Sequence, residues 1–205
     1  MRGFNIKLTR SQKGLLLSNV TVILLALVQG WDLAILLWGY WFQSVTIGLF
    51  QFKKILDLEK FDVEGVKLGG KPAKATRGTQ ILLAYFFLFH YGCFHLVYSV
   101  FLIQLVRPAL WFPVLVTAGI FFINHLYSYM ANKEFDRQKK SNIGKMMTSP
   151  YVRILPMHFI LVFGWIIFVL KPIALVVFLL LKTGADIISH SIEHKFNTFK
   201  FPTRL

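Results

Sequence analysis

Four side chains near the end of the chain have types and spacing that could do chemistry together. Lys182, Asp186, His190 and His194 are spaced four apart, and residues four apart share one face of a helix. The stripe reads cation, carboxylate, imidazole, imidazole. An Asp-x-x-x-His-x-x-x-His run suits a metal, because side chains one turn apart can reach a common ion. It equally suits a proton wire, in which each group hands its proton to the next. The ordinary alternative is a helix end leaving a membrane, with Lys182 snorkelling to the surface and the rest solvated.

Further polar groups interrupt otherwise apolar sequence: Gln43, His90, His95, Asn124, His125 and His158. At ~1.5 Å per residue, His90 lies roughly 15 Å from the basic end of its apolar stretch, Gln43 roughly 10 Å, and His125 and His158 roughly 6–9 Å. Asp186 and His190 fall in the same layer. His95 sits nearer the opposite face and is turned about 140° from His90, so His90 is assigned to the site. The expected metal ligands are His90, His125, His158, Asp186, His190 and His194, and the expected catalytic pair is Asp186 and His190. Imidazole and carboxylate donors suit a divalent ion such as zinc, iron or copper. Cys93 is the only cysteine, so it cannot form an internal disulfide.

These groups need helices to hold them. Of the 205 residues, 56% are hydrophobic and 16% charged, against roughly 45–50% and about 25% in an average soluble domain. Six apolar stretches approach the ~20 residues that cross a bilayer: residues 14–29, 31–50, 79–106, 109–131, 154–170 and 172–191. Gly30-Trp31, Arg107-Pro108 and Lys171-Pro172 punctuate them as tight connections. The 23 basic residues give a net charge of +14. All but Arg107 and Lys171 fall in the first terminal segment, the two long loops, 53–78 and 132–153, and the last apolar stretch with its tail. That asymmetry is the positive-inside pattern. It predicts one all-α transmembrane domain over residues 1–205, a polytopic bundle of six helices in the cell membrane with both termini cytoplasmic. The first stretch is read as retained rather than cleaved, because a second apolar stretch follows at once.

The same distribution argues against nucleic acid as the reason for the charge. Lipid is the expected partner, with anionic headgroups at the cytoplasmic loops. Residues 52–61 could lie along the interface as an amphipathic turn or run as a solvated loop. The glycine-rich stretch 65–71 lacks phosphate-loop spacing.

Several short strings carry a resemblance: His90-Tyr91-Gly92, the run from Ser149 through Pro156 to His158, Lys182-Thr183-Gly184-Ala185-Asp186 continuing to His190 and His194, and Trp38-Gly39-Tyr40-Trp41 before Gln43. Together they resemble a family of prokaryotic integral membrane proteins known only as a domain of unknown function. The resemblance implies a membrane protein with a polar core and supplies no reaction. The family pattern carries an acid at the position of Gln43 and a histidine at the position of Tyr98. Both departures would remove a metal ligand or proton carrier. A more distant analogy is with the seven-span membrane hydrolases that include alkaline ceramidases and adiponectin receptors, which hold zinc by three histidines and an aspartate.

Three functions follow as expectations. The first is an intramembrane metal-binding protein or metal-dependent enzyme, whose ion would polarise water or a lipid carbonyl. The second is a proton-coupled transporter or channel working through the Lys182–Asp186–His190 stripe. The third is a structural or assembly subunit, as a homo-oligomer or with a membrane-complex partner, whose polar spots are interhelical glue.

Overall fold

The structure, a computed structural model, describes residues 10–105, 107–169 and 182–185. Five long helices organise them: α1 (Arg10–Gln29), α2 (Leu33–Asp57), α3 (Arg77–Leu105), α4 (Trp111–Gln138) and α5 (Ile143–Val169). Residues 182–185 are also helical. Four two-residue strands lie in the connections: β1 (Phe61–Asp62), β2 (Lys67–Leu68), β3 (Lys71–Pro72) and β4 (Ser141–Asn142).

Local chemistry sets the helix ends. Gly30 takes φ +61°, and the Trp31 amide donates to the Ala26 carbonyl at 2.9 Å. This is the six-to-one bond that closes a helix on a left-handed glycine. Asp32 then caps α2 by accepting from the Ile35 amide at 2.9 Å, which satisfies an orphan donor of the new helix. At the far end of α2 the cap comes from α3. The Gln80 amide nitrogen donates to the carbonyls of Ile55 at 2.6 Å and Leu58 at 3.0 Å. Arg77 adds a bond to the Leu56 carbonyl at 2.8 Å.

α2 is the hub, with α3, α4 and α5 packed around it and α1 against α4. Two glycines set the approaches. A Cβ on Gly39 would fall 2.5 Å from Thr117 of α4, and one on Gly48 would fall 2.5 Å from the Tyr91 ring of α3. A residue without a side chain lets helices approach this closely. Nine residues turn the helix by about 180°, so α3 and α4 lie on opposite sides of α2. The expectation for residues 52–61 is corrected. α2 runs on to Asp57, and Ile55 and Leu58 are buried in the core rather than laid along a surface.

The two long basic segments meet at one end. β1 pairs with β4 in parallel, Phe61 opposite Ser141 and Asp62 opposite Asn142. Arg137 bonds Glu59 at 2.6 Å, Lys54 pairs with Asp136 at 3.2 Å, and the Tyr129 hydroxyl donates to Asp57 at 2.5 Å. Asn142 starts α5 by accepting from the Lys145 amide at 2.9 Å and donates back to the Glu64 carbonyl at 3.1 Å. The glycine-rich stretch is a hairpin. Gly69 and Gly70 have φ +56° and +79° between β2 and β3, the positive pair that a two-residue turn demands. Near this end, burial pushes the Lys139 ammonium below its ordinary pKa, partly offset by the charge of Asp136.

Among the described residues, two helices are by length and composition fit to cross a membrane, residues 77–104 of α3 and all of α4, with Leu17–Gln29 a shorter apolar helix. This is fewer than the six expected. Gln43, Ser44 and Gln51 are buried in α2, and Lys53 and Lys54 end its apolar run. α5 takes in Lys145 and Arg153 before its apolar part begins. The stretch 172–181 of the sixth expected span lies outside the described residues.

Candidate functional site: polar groups on two sides of α2

On the α4 side, the organising residue is Lys182. It is 5% exposed. Its ammonium donates to Asn19 of α1 and lies 3.9 Å from the Tyr40 ring centroid and 4.6 Å from that of Phe121. Those two rings are themselves 6.2 Å apart. The cation is therefore enclosed by a carbonyl oxygen and two aromatic faces, which attract it through their quadrupoles. Snorkelling is corrected: Lys182 points into the bundle, not out of it.

The same side holds Gln43, His125 and Asn124. On α4, Thr117, Phe121, His125 and Tyr129 recur four apart and so form one stripe. Thr117 touches Gly39, Phe121 stacks near Tyr40, and Tyr129 packs on Phe50, so the stripe faces α2. His125 is half-buried within it. Gln43, one turn beyond Gly39 on α2, is 2% exposed, and its amide nitrogen meets no acceptor among the described residues. Asn124 faces α1, with its side-chain oxygen 2.8 Å from where a Cβ of Gly14 would be.

On the α3 side, histidines and tyrosines interleave. His90 Nδ1 lies 2.6 Å from the Tyr151 hydroxyl, and His158 Nδ1 lies 3.2 Å from that of Tyr98. Tyr91 shares a 2.8 Å bond with the Ser44 hydroxyl and donates to the Ser44 carbonyl at 3.0 Å. The expected preference between His90 and His95 is inverted in burial. His90 is exposed, stacked on Phe86 with centroids 5.6 Å apart. His95 is buried, with Nδ1 2.9 Å from the Tyr91 carbonyl. The 140° rotation was legible in the spacing. Which of the two faces α2 was not.

The structure does not bring His90, His125 and His158 to one point. His90 and His158 lie along the α3–α5 seam at different levels, and His125 is across α2 from both. No group of three His, Cys, Asp or Glu gathers at metal-binding range among the described residues. Asp186, His190 and His194 lie outside the described residues. Sequence reasoning missed Phe121, and it named Tyr40, Tyr98 and Tyr151 only within the resemblance, without a role as partners of Lys182, His158 and His90. Aromatics are so frequent here that type alone did not mark them. Only their spacing from the polar positions could have done so: three residues for Tyr40 and Tyr98, four for Phe121 and seven for Tyr151.

Residues 4–200 match the sequence profile of a family of unknown function, DUF6498. No curated protein and no solved structure matches the chain.

Proposed function

The chain belongs to that family of unknown function, and from its own geometry we propose that it is a multi-pass membrane protein that moves protons or a proton-coupled solute. In this reading six helices span the membrane and both termini are cytoplasmic. The joined basic loops lie against anionic headgroups, which attract lysine and arginine. The meeting of residues 61–62 with 141–142 at one end supports it, because those loops must share a side under that topology.

The observation that carries the reading is the burial of Lys182 in its aromatic enclosure. An ammonium inside a membrane bundle is costly and marks an ion or proton pathway by default. Asp186 and His190 follow at intervals of four in the sequence, so a helix continuing from 182–185 would carry them on the same face. The test is proton flux in proteoliposomes under an imposed pH gradient. Flux is expected in the wild type, with loss in Lys182→Met and Asp186→Asn. Flux indifferent to both changes would overturn the proposal.

The four-residue spacing favours a second reading. Asp186, His190 and His194 would hold zinc, iron or copper, with His125 the described histidine on the same side of α2 as Lys182. Elemental analysis of gently purified protein tests it. About one metal per chain, lost in Asp186→Asn, would support it. Metal far below one equivalent would exclude it.

A further inference from the structure

We propose that the Nε2 atom of His95 is a proton-loading position, supplied from His158 through Tyr98. It extends the proton-coupled reading and puts the loading step across α2 from Lys182. The starting point is a buried acceptor with nothing to accept. His95 is 4% exposed, and its Nε2 meets no hydrogen-bond partner among the described residues. A polar atom left unpaired in an apolar interior costs on the order of 1–3 kcal/mol, so a fixed orphan calls for an explanation.

The other ring nitrogen settles which proton state the ring holds. Nδ1 is 2.9 Å from the Tyr91 carbonyl. A carbonyl oxygen only accepts, so Nδ1 carries the hydrogen. In a neutral ring Nε2 is then a lone pair. The ring is also fixed in place. Tyr91 packs on it with centroids 4.3 Å apart, and the Trp41 indole donates to the His95 carbonyl at 2.8 Å. Among the described residues nothing donates to that lone pair, so its donor is brought from elsewhere, a water or a hydronium.

A row of side chains leads to it. His158 is exposed. Its Nδ1 is 3.2 Å from the Tyr98 hydroxyl, and the Tyr98 ring centroid is 6.0 Å from that of His95. One water between the Tyr98 oxygen and Nε2 completes the row. The transfer then balances. His158 gains a proton from outside at Nε2 and gives one from Nδ1 to the Tyr98 oxygen. Tyr98 gives its own proton to the water, and the water gives one to His95 Nε2. The net change is one proton from outside to His95, with Tyr98 and the water restored and His158 left with its hydrogen on Nε2 instead of Nδ1.

Other titratable or charged groups line this compartment. α3 contributes Tyr91 and Tyr98. α5 contributes Tyr151, against the Tyr91 ring, and Arg153, whose charge reaches Tyr91. α2 contributes Trp41 and Ser44, which do not titrate in the accessible range.

The test uses the full chain in lipid nanodiscs with nitrogen-15 histidine, and His95→Gln to assign the signal. Solid-state resonance at pH 9 is expected to show His95 with hydrogen on Nδ1, converting to the doubly protonated ring as the pH falls to 5. After a rapid pH drop, Tyr98→Phe and His158→Gln should slow that conversion at least about tenfold. A neutral His95 with hydrogen on Nε2 would overturn the proposal. So would a ring that stays neutral throughout, or uptake at the wild-type rate in both variants. The tautomer is read on the wild type, so a variant that fails to fold does not blunt the test. Flux failing while His95 titrates would sink the transport reading and leave this site standing.

Discussion

His158 and Tyr98 meet across the seam of α3 and α5, with 3.2 Å between Nδ1 and the phenol oxygen. Nearer the basic end His90 and Tyr151 repeat the contact at 2.6 Å with the helices' contributions exchanged. His90 and Tyr98 are eight residues apart, so the two contacts are separated by about 12 Å.

That separation predicts independence. Tyr98→Phe and Tyr151→Phe should each destabilise the chain by about 0.5–1.5 kcal/mol, the usual worth of one hydrogen bond. The double variant should add within about 0.5 kcal/mol. Denaturant unfolding in detergent micelles measures all three. Strong non-additivity would mean that the pairs act as one network.

Gly48 and Gly92 should respond to alanine in opposite directions. A methyl at Gly48 would strike the Tyr91 ring, whereas nothing among the described residues lies within 4 Å of one at Gly92. Overpacking costs about 1–3 kcal/mol, and alanine in an open helix interior gains roughly 0.5–1 kcal/mol. Equal effects of the two substitutions would contradict the α2–α3 crossing.

Much of this architecture was legible in the residues. Gly30-Trp31 marked the end of α1. The charge blocks at 53–78 and 132–153 marked segments that share an end, because lysines and arginines sort by side when a helix inserts. The layer of polar groups was less legible. Depth follows from rise per residue, but direction around a helix needs a reference neighbour. Every face of α3 is aromatic, so the sequence offered none. His90 and His95 could be told apart by angle but not assigned, and His125 could not be placed across α2 from them.

Lys182 should resist amine reagents. Its ammonium is enclosed by Asn19, Tyr40 and Phe121, whereas Lys67 and Lys71 are exposed on the hairpin. Modification should be at least about tenfold slower at Lys182, because it awaits local opening. Mass spectrometry of a labelling time course reads the ratio. Equal rates would remove the enclosed ammonium from the argument.

Gln80→Leu should loosen the end of α2. It removes the donor to the carbonyls of Ile55 and Leu58 and leaves them buried. The expected cost is about 1–3 kcal/mol. Amide exchange should quicken around residues 55–58 before it does in the middle of α2. Uniform exchange along the helix would argue against a capping role.

Leu68→Cys and Ala109→Cys, each in a Cys93→Ser background, should label from opposite sides of a sealed vesicle. Leu68 lies on the hairpin at the basic end, and Ala109 lies in the α3–α4 connection at the other end. Labelling of both by one impermeant maleimide from one side would refute the topology.

The strand bridge has a bearing on biosynthesis. Asp62 and Asn142 are 80 positions apart, so the ribosome makes the first long before its mate. Two helices are threaded between them. If only one of those two entered the bilayer, the strands would emerge in different compartments and could never pair. Under the proposed topology, closure of that short bridge doubles as a parity check on insertion, a latch that shuts only on a correctly threaded chain.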